Sequence, residues 1–169
     1  MASLFVFLAH RSLLDQYTAH GEIQTWLRNQ GGCRDVRYAP NSIRRHEVCA
    51  TVDPEILLGE PYPSETAQLR VEFEFPDDAG YDYYEIQWVD GERNYSFGWH
   101  QDETHPDLGE CHFQFDHRDE TVARKPAVFH DSHPVNVLEQ RLSLVPSILE
   151  LVTWENDRPG LSRWPPDDV

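Results

Sequence analysis

The stretch "YDYYEIQWVDGERNYSFGWH", Tyr81 to His100, decides the fold. Two runs rich in aromatic residues flank Asp90-Gly91, a dipeptide favoured in two-residue type I′ hairpins. Counting outward from that turn sets Val89 against Glu92, Ile86 against Tyr95 and Tyr84 against Phe97, because cross-strand partners share a face. The pairing gathers Tyr84, Ile86, Trp88, Tyr95, Phe97 and Trp99 on one buried side. Their strict alternation marks them as core rather than a platform for stacking bases. His100, next after Trp99, points the other way.

The same alternation continues on both sides of the hairpin. In "QLRVEFEF", Leu69, Val71, Phe73 and Phe75 share one face, while Gln68, Arg70, Glu72 and Glu74 share the other. In "CHFQFDH", Cys111, Phe113 and Phe115 oppose His112, Gln114 and Asp116. A further strand is expected within "TVARKPAVFHD", Thr121 to Asp131. Meander connections then give an antiparallel sheet of four to five strands. At "HPVNVLEQRLSLVPSILELV" the period changes: Leu138, Leu142, Val145, Leu149 and Val152 form the stripe of an amphipathic helix. Pro134 suits its first turn, and Pro146 either kinks it or opens a second piece. Asp131, Ser132 and His133 stand where a helix cap is needed, while His117 and His130 flank strand ends and carry no signal of their own. Packing this C-terminal helix on the apolar side of the sheet defines an α+β fold.

The N-terminal third is less regular. "LFVFLAHRSLLDQY" and "GEIQTWLRNQGG" each read as a helix, the second closed by Gly31 and Gly32. From Cys33 to Ala67, Pro40, Pro54, Pro61 and Pro63 leave one strand-like piece, "HEVCATVD", in what is mostly connecting chain. The expected division is therefore residues 1–66 as a helical and irregular extension, 67–153 as the α+β core, and 154–169 as an irregular tail.

Composition narrows the setting. A chain of 169 residues carries one ordinary domain, and five Trp, seven Tyr and eight Phe exclude a disordered one. Thirty acidic residues oppose fourteen basic ones, of which Lys125 is the single lysine, giving a net charge of −16. Such a surface suits a halophilic cytosol, where carboxylates maintain solubility. At molar salt the Debye length is about 3 Å, so repulsion of nucleic acid largely disappears, and with it any basic steering. Cys33, Cys49 and Cys111 are odd in number and form no CxxC pair, as in a reducing compartment. The opening "MASLFVFLAHRS" has no basic segment before its apolar run and no cleavage pattern after it, so a cytoplasmic protein without a membrane partner is expected. Ser-His-Asp triads, phosphate-binding loops and GxGxxG are absent.

The chemistry gathers in "WHQDETHPDLGECHFQFDH", Trp99 to His117. His100, Asp102, His105 and His112 are competent metal ligands, but spacings of two, three and seven match no standard zinc motif. An acid–base role asks less of the geometry. His100, His112 and Gln114 share the polar side of neighbouring strands, and a pair of imidazoles can shuttle the protons of phosphodiester transfer to a 2′-hydroxyl without a metal or other cofactor. Asp102 and Gln114 would orient the rings. Arg141 falls inside the apolar arc of the helix, where it needs a partner: a phosphate, which it would hold in the acid–base role, or else a sheet carboxylate or water reached by snorkelling. His105 and His133 are secondary candidates. A solvated polar face serving as a protein-binding module, and a metal-dependent hydrolase built on His100, Asp102, His105 and His112, are the alternatives.

From about Gln68 to Val152 the chain resembles the TumE-type toxins, the toxin halves of toxin–antitoxin pairs common in archaea. The resemblance is carried by the strand pair around "VDGERNYSFGW", the loop "HQDETHPDLGECHFQ" and the helix "HPVNVLEQRLSLVPSIL". It implies a small α+β toxin, neutralised by a protein antitoxin of helix-turn-helix type, that acts on RNA or the ribosome. It also places the family's histidine block on His100, Asp102, His105 and His112.

Overall fold

The computed structural model describes residues 2–76, 82–128, 131 and 133–165, with side chains from Asp15 onward. Its elements run α1 (Ala2–Arg28), β1 (Cys33–Pro40), β2 (Arg45–Val52), α2 (Pro54–Leu58), β3 (Ala67–Glu74), β4 (Tyr83–Asp90) and β5 (Tyr95–Gln101). A short 3-10 turn (Pro106–Leu108) follows, then β6 (Cys111–His117), β7 (Glu120–Pro126), α3 (Pro134–Leu149), β8 (Val152–Glu155) and β9 (Arg158–Leu161). β1 to β7 form one sheet in sequence order, every neighbour antiparallel. The sheet is thus α+β as expected but larger, with seven strands rather than four or five.

The two additional strands lie in the region expected to be mostly connecting chain, β2 falling on its one strand-like piece, "HEVCATVD", and β1 where no strand was expected. β2 buries Val48, Cys49, Ala50 and Val52, whereas β1 is an edge strand with Val36 as its one buried residue. A register shift between Arg34 and Arg37, with Asp35 at φ 48°, breaks its alternation, so no period of two survives to be read. β2 pairs with β3 across the boundary expected near residue 66, and Ile23 and Leu27 of α1 belong to the same core as Trp88 and Phe113. The strands of residues 33–52 are therefore part of the same sheet. α1 is also one helix where two were expected, and His20 ties it to the sheet by accepting the Phe73 amide at 3.2 Å on Nε2.

The β4–β5 hairpin departs from the expected turn. Asp90 pairs with Tyr95, leaving Gly91–Asn94 as a four-residue loop, and Ile86 faces Trp99 rather than Tyr95. The reason lies in Asp90, whose buried carboxylate accepts from Tyr62 and Ser64 at 2.9 and 2.7 Å and from the Arg93 amide at 3.0 Å. The turn then closes on Asn94 at φ 55°. The register moves by four residues, an even number, so every side chain keeps its face. The rows Val48–Val71–Ile86–Trp99–Phe113 and Ala50–Leu69–Trp88–Phe97–Phe115 cross the buried side. Each large side chain in them contributes about 1.5–3 kcal/mol by leaving water.

α3 runs unbroken through Pro146, and its buried stripe is Val137, Leu138, Arg141, Val145 and Ile148, turned slightly from the expected Leu142 and Leu149. Asp131 accepts from the His133 amide at 2.8 Å ahead of the helix; Ser132 and His130 lie outside the described residues. The tail expected to be irregular forms the β8–β9 hairpin, where Asn156 and Asp157, at φ 50° and 60°, make the two-residue turn that Asp90-Gly91 does not. Among the described residues no helix is long and apolar enough to cross a membrane, and the three cysteines are free thiols.

Candidate metal centre on the polar face

On the side of the sheet away from the aromatic rows, polar residues align across strands. One row runs Glu47–Glu72–Glu85–His100–His112, and the next runs Cys49–Arg70–Gln87–Gly98–Gln114–Arg124. His100 and His112 stand directly opposite one another on β5 and β6, with ring centroids 5.1 Å apart. The loop from Asp102 to Glu110, closed at its neck by the Asp102 amide on the Glu110 carbonyl at 3.2 Å, folds back over them. It brings the His105 ring to 5.0 Å from His112 at an interplanar angle of 87°. Donor atoms of His100, Asp102 and His112 all lie within 4.8 Å of one another.

His112 is the centre of this group. It is 1 % exposed, and among the described residues neither Nδ1 nor Nε2 has a hydrogen-bond partner. Leaving a buried polar nitrogen unmatched costs about 1–3 kcal/mol, so such an atom calls for a ligand. Burial, the His100 ring and the His105 ring hold its pKa down to about 4, against the pull of Asp102, and the imidazole is neutral near pH 7. Burial also lowers the pKa of His100, with Glu85, Asp102 and Asp116 working in the opposite direction. Burial disfavours the Asp102 carboxylate, yet two hydrogen bonds from Thr104 and the neighbouring imidazoles outweigh it and keep the acid ionised. Two neutral imidazoles and a carboxylate are the protonation states that metal ligation requires.

The residues expected at the site separate into two groups. His100, Asp102, His105 and His112 come together. Gln114 shares their face, but its amide bonds Asp116 and Arg124 instead of a ring. The side chain that meets His100 is Gln87, its amide nitrogen 3.3 Å from Nε2. His133 sits at the start of α3 in an exposed contact with Glu22 at 3.7 Å, away from the cluster.

Arg141 does not reach the histidines. It lies on the aromatic side, where its Nη2 donates to Tyr84 at 3.0 Å, Cys111 Sγ at 3.6 Å and the Val128 carbonyl at 2.6 Å, with the guanidinium 5.4 Å from the Trp99 ring centroid. Neutral acceptors take the place of the expected phosphate. Gln87, Glu85 and Arg124 were not singled out by spacing along the chain, because they reach the site from β4 and β7 through pairing.

No family model, curated protein or solved structure matches the chain.

Proposed function

We propose that the protein is a metal-assisted hydrolase whose centre is His100, Asp102 and His112. The observation that carries this reading is the buried His112 ring, unpartnered at both nitrogens and set between a second imidazole and a carboxylate. A shuttle of protons between His100 and His112 without a metal fits less well. A ring that is 1 % exposed and titrates near 4 neither meets substrate nor donates a proton at neutral pH.

Three protein donors with one open position form the pattern of catalytic zinc-class sites, where the ion brings the pKa of its bound water to about 7. Nitrogen and oxygen donors of this kind suit Zn²⁺, Mn²⁺ or Fe²⁺. Zinc–nitrogen bonds of about 2.0–2.1 Å set tetrahedral donors about 3.4 Å apart, so the three donor atoms, within 4.8 Å of one another, would draw together on loading. Thr104 fixes Asp102 and Gln87 orients His100, so two of the three donors are positioned in advance. His105 stands over the group as part of its wall. In this reading α3 lies over the aromatic face and leaves the polar face to substrate.

RNA cleavage and neutralisation by an antitoxin, which the resemblance to TumE-type toxins implies, supply the first substrate to try. The test is titration of chelator-treated full chain with Zn²⁺ against a chromophoric chelator, beside assays of RNA and nitrophenyl esters with and without the ion. One tight site, lost in His112→Ala, and activity that follows metal loading are expected. RNA cleavage at full rate by the metal-free chain would return the site to histidine acid–base catalysis.

A further inference from the structure

Arg124 of β7 emerges on the histidine face. It pairs with Gln114, two residues along from the pair formed by His112 and Pro126, and so is a diagonal neighbour of His112 at about 7–8 Å. Its Nε donates to Gln114 Oε1 at 2.8 Å and its Nη2 to Thr121 at 3.3 Å. The amide of Gln114 donates to both carboxylate oxygens of Asp116, at 3.0 and 2.8 Å. A neutral amide therefore stands between the cation and the carboxylate beside it. Among the described residues Arg124 forms no ion pair, whereas Arg70 on the same face is clasped by Glu47 through two bonds, at 2.9 and 3.2 Å. In a chain with thirty acidic residues, a half-buried arginine kept apart from carboxylates is arranged for an anion brought from outside.

We infer that Arg124 binds the phosphoryl group of a phosphate ester, with the divalent ion on His100, Asp102 and His112 at the other side of the same group. The inference rests on the metal-centre reading and names its substrate class. A tetrahedral phosphoryl group offers oxygens in two directions at once, one toward the ion and another toward Nη1 of Arg124. Hydrolysis then adds water across the ester bond. The water oxygen bonds to phosphorus, the phosphorus–oxygen ester bond breaks, and the departing alcohol carries away a proton from that water.

The experiment compares wild type with Arg124→Met, Arg124→Lys and Gln114→Glu in the zinc-loaded full chain. Zinc affinity is measured by chelator competition, anion binding by inhibition with inorganic phosphate, and turnover with bis(p-nitrophenyl) phosphate, p-nitrophenyl phosphate and uncharged p-nitrophenyl acetate. Arg124→Met should weaken phosphate inhibition and lower kcat/KM on the phosphate esters about 10- to 100-fold. Zinc affinity and acetate turnover should stay within about twofold of wild type on the same grounds. Arg124→Lys should recover part of the loss, and Gln114→Glu, which lays a carboxylate against the guanidinium, should reproduce it. The two phosphate substrates distinguish a diester from a monoester site. Zinc-loaded Arg124→Met that handles phosphate like wild type would overturn the inference and leave the metal reading standing. A wild-type chain that binds no zinc would overturn both.

Discussion

The guanidinium of Arg141 rests on Cys111, one residue before His112, yet Arg141 and His112 lie on opposite faces of β6. The pleat alone separates them. Arg141→Met should thus act on stability and not on the proposed metal site. It takes away the guanidinium that bonds the Tyr84 hydroxyl and the Val128 carbonyl, at a cost of about 2–4 kcal/mol in urea unfolding. The folded variant should bind zinc as wild type does, read by the same chelator competition.

His20 links helix α1 to the sheet and makes stability depend on pH. Burial first, then Arg45, holds its folded pKa near 4, below the ordinary 6.5. Between those values the unfolded chain binds a proton that the native chain does not, so stability is full above pH 6.5 and falls as pH drops toward 4. The loss is on the order of 3 kcal/mol for this fully buried ring, and His112 adds to it with the same sign. Urea unfolding at pH 7 and pH 4.5 measures the sum, and His20→Gln should show a smaller difference between the two.

Glu72 shows the opposite sign. It stands between Glu47 and Glu85 in one cross-strand row, and burial together with Glu74 and Glu85 raises its pKa to about 7. The native chain holds this proton where the unfolded chain has released it, so the contribution of Glu72 to stability declines as pH rises from 4.5 to 7. Glu72→Gln should add about 1 kcal/mol at pH 8 and low salt, a value discounted for partial exposure, and less at high salt. Equal stability of the two chains at pH 8 would show that the row is screened.

Gly98 occupies the row between Gln87 and Gln114, where a Cβ would collide with the Ile86 carbonyl oxygen and stand 2.9 Å from Gln87 Cα. Both obstacles are backbone. Gly98→Ala should cost about 2–4 kcal/mol and, by moving β5, weaken zinc binding through His100. Thermal unfolding and the zinc titration check the two effects separately.

The strands that alternate cleanly were legible: Leu69 to Glu74, Tyr84 to Trp88, and Cys111 to Asp116 all show the faces that their spacing predicts. So was the meeting of His100 with His112, since both follow from alternation on neighbouring strands. β1 was not legible because an edge strand with one buried residue has no face to reveal. Arg141 was correctly placed among apolar residues, but the partners expected for it were an anion or water. A hydroxyl, a thiol and a carbonyl serve it here. Arg124 and Gln87 were hidden because their relation to the histidines is one of strand pairing, which no spacing along the chain displays.

The four-residue loop Gly91–Asn94 sets a rule for how this protein can vary. Residues inside that loop lie outside the ladder, so their number can change while Asp90 and Tyr95 stay paired. A residue added or lost between Tyr95 and Trp99 would instead roll the rest of β5, sending His100 inward and Trp99 out to solvent. Descendants of this chain can remake the corner freely, whereas the strand behind it admits no odd step.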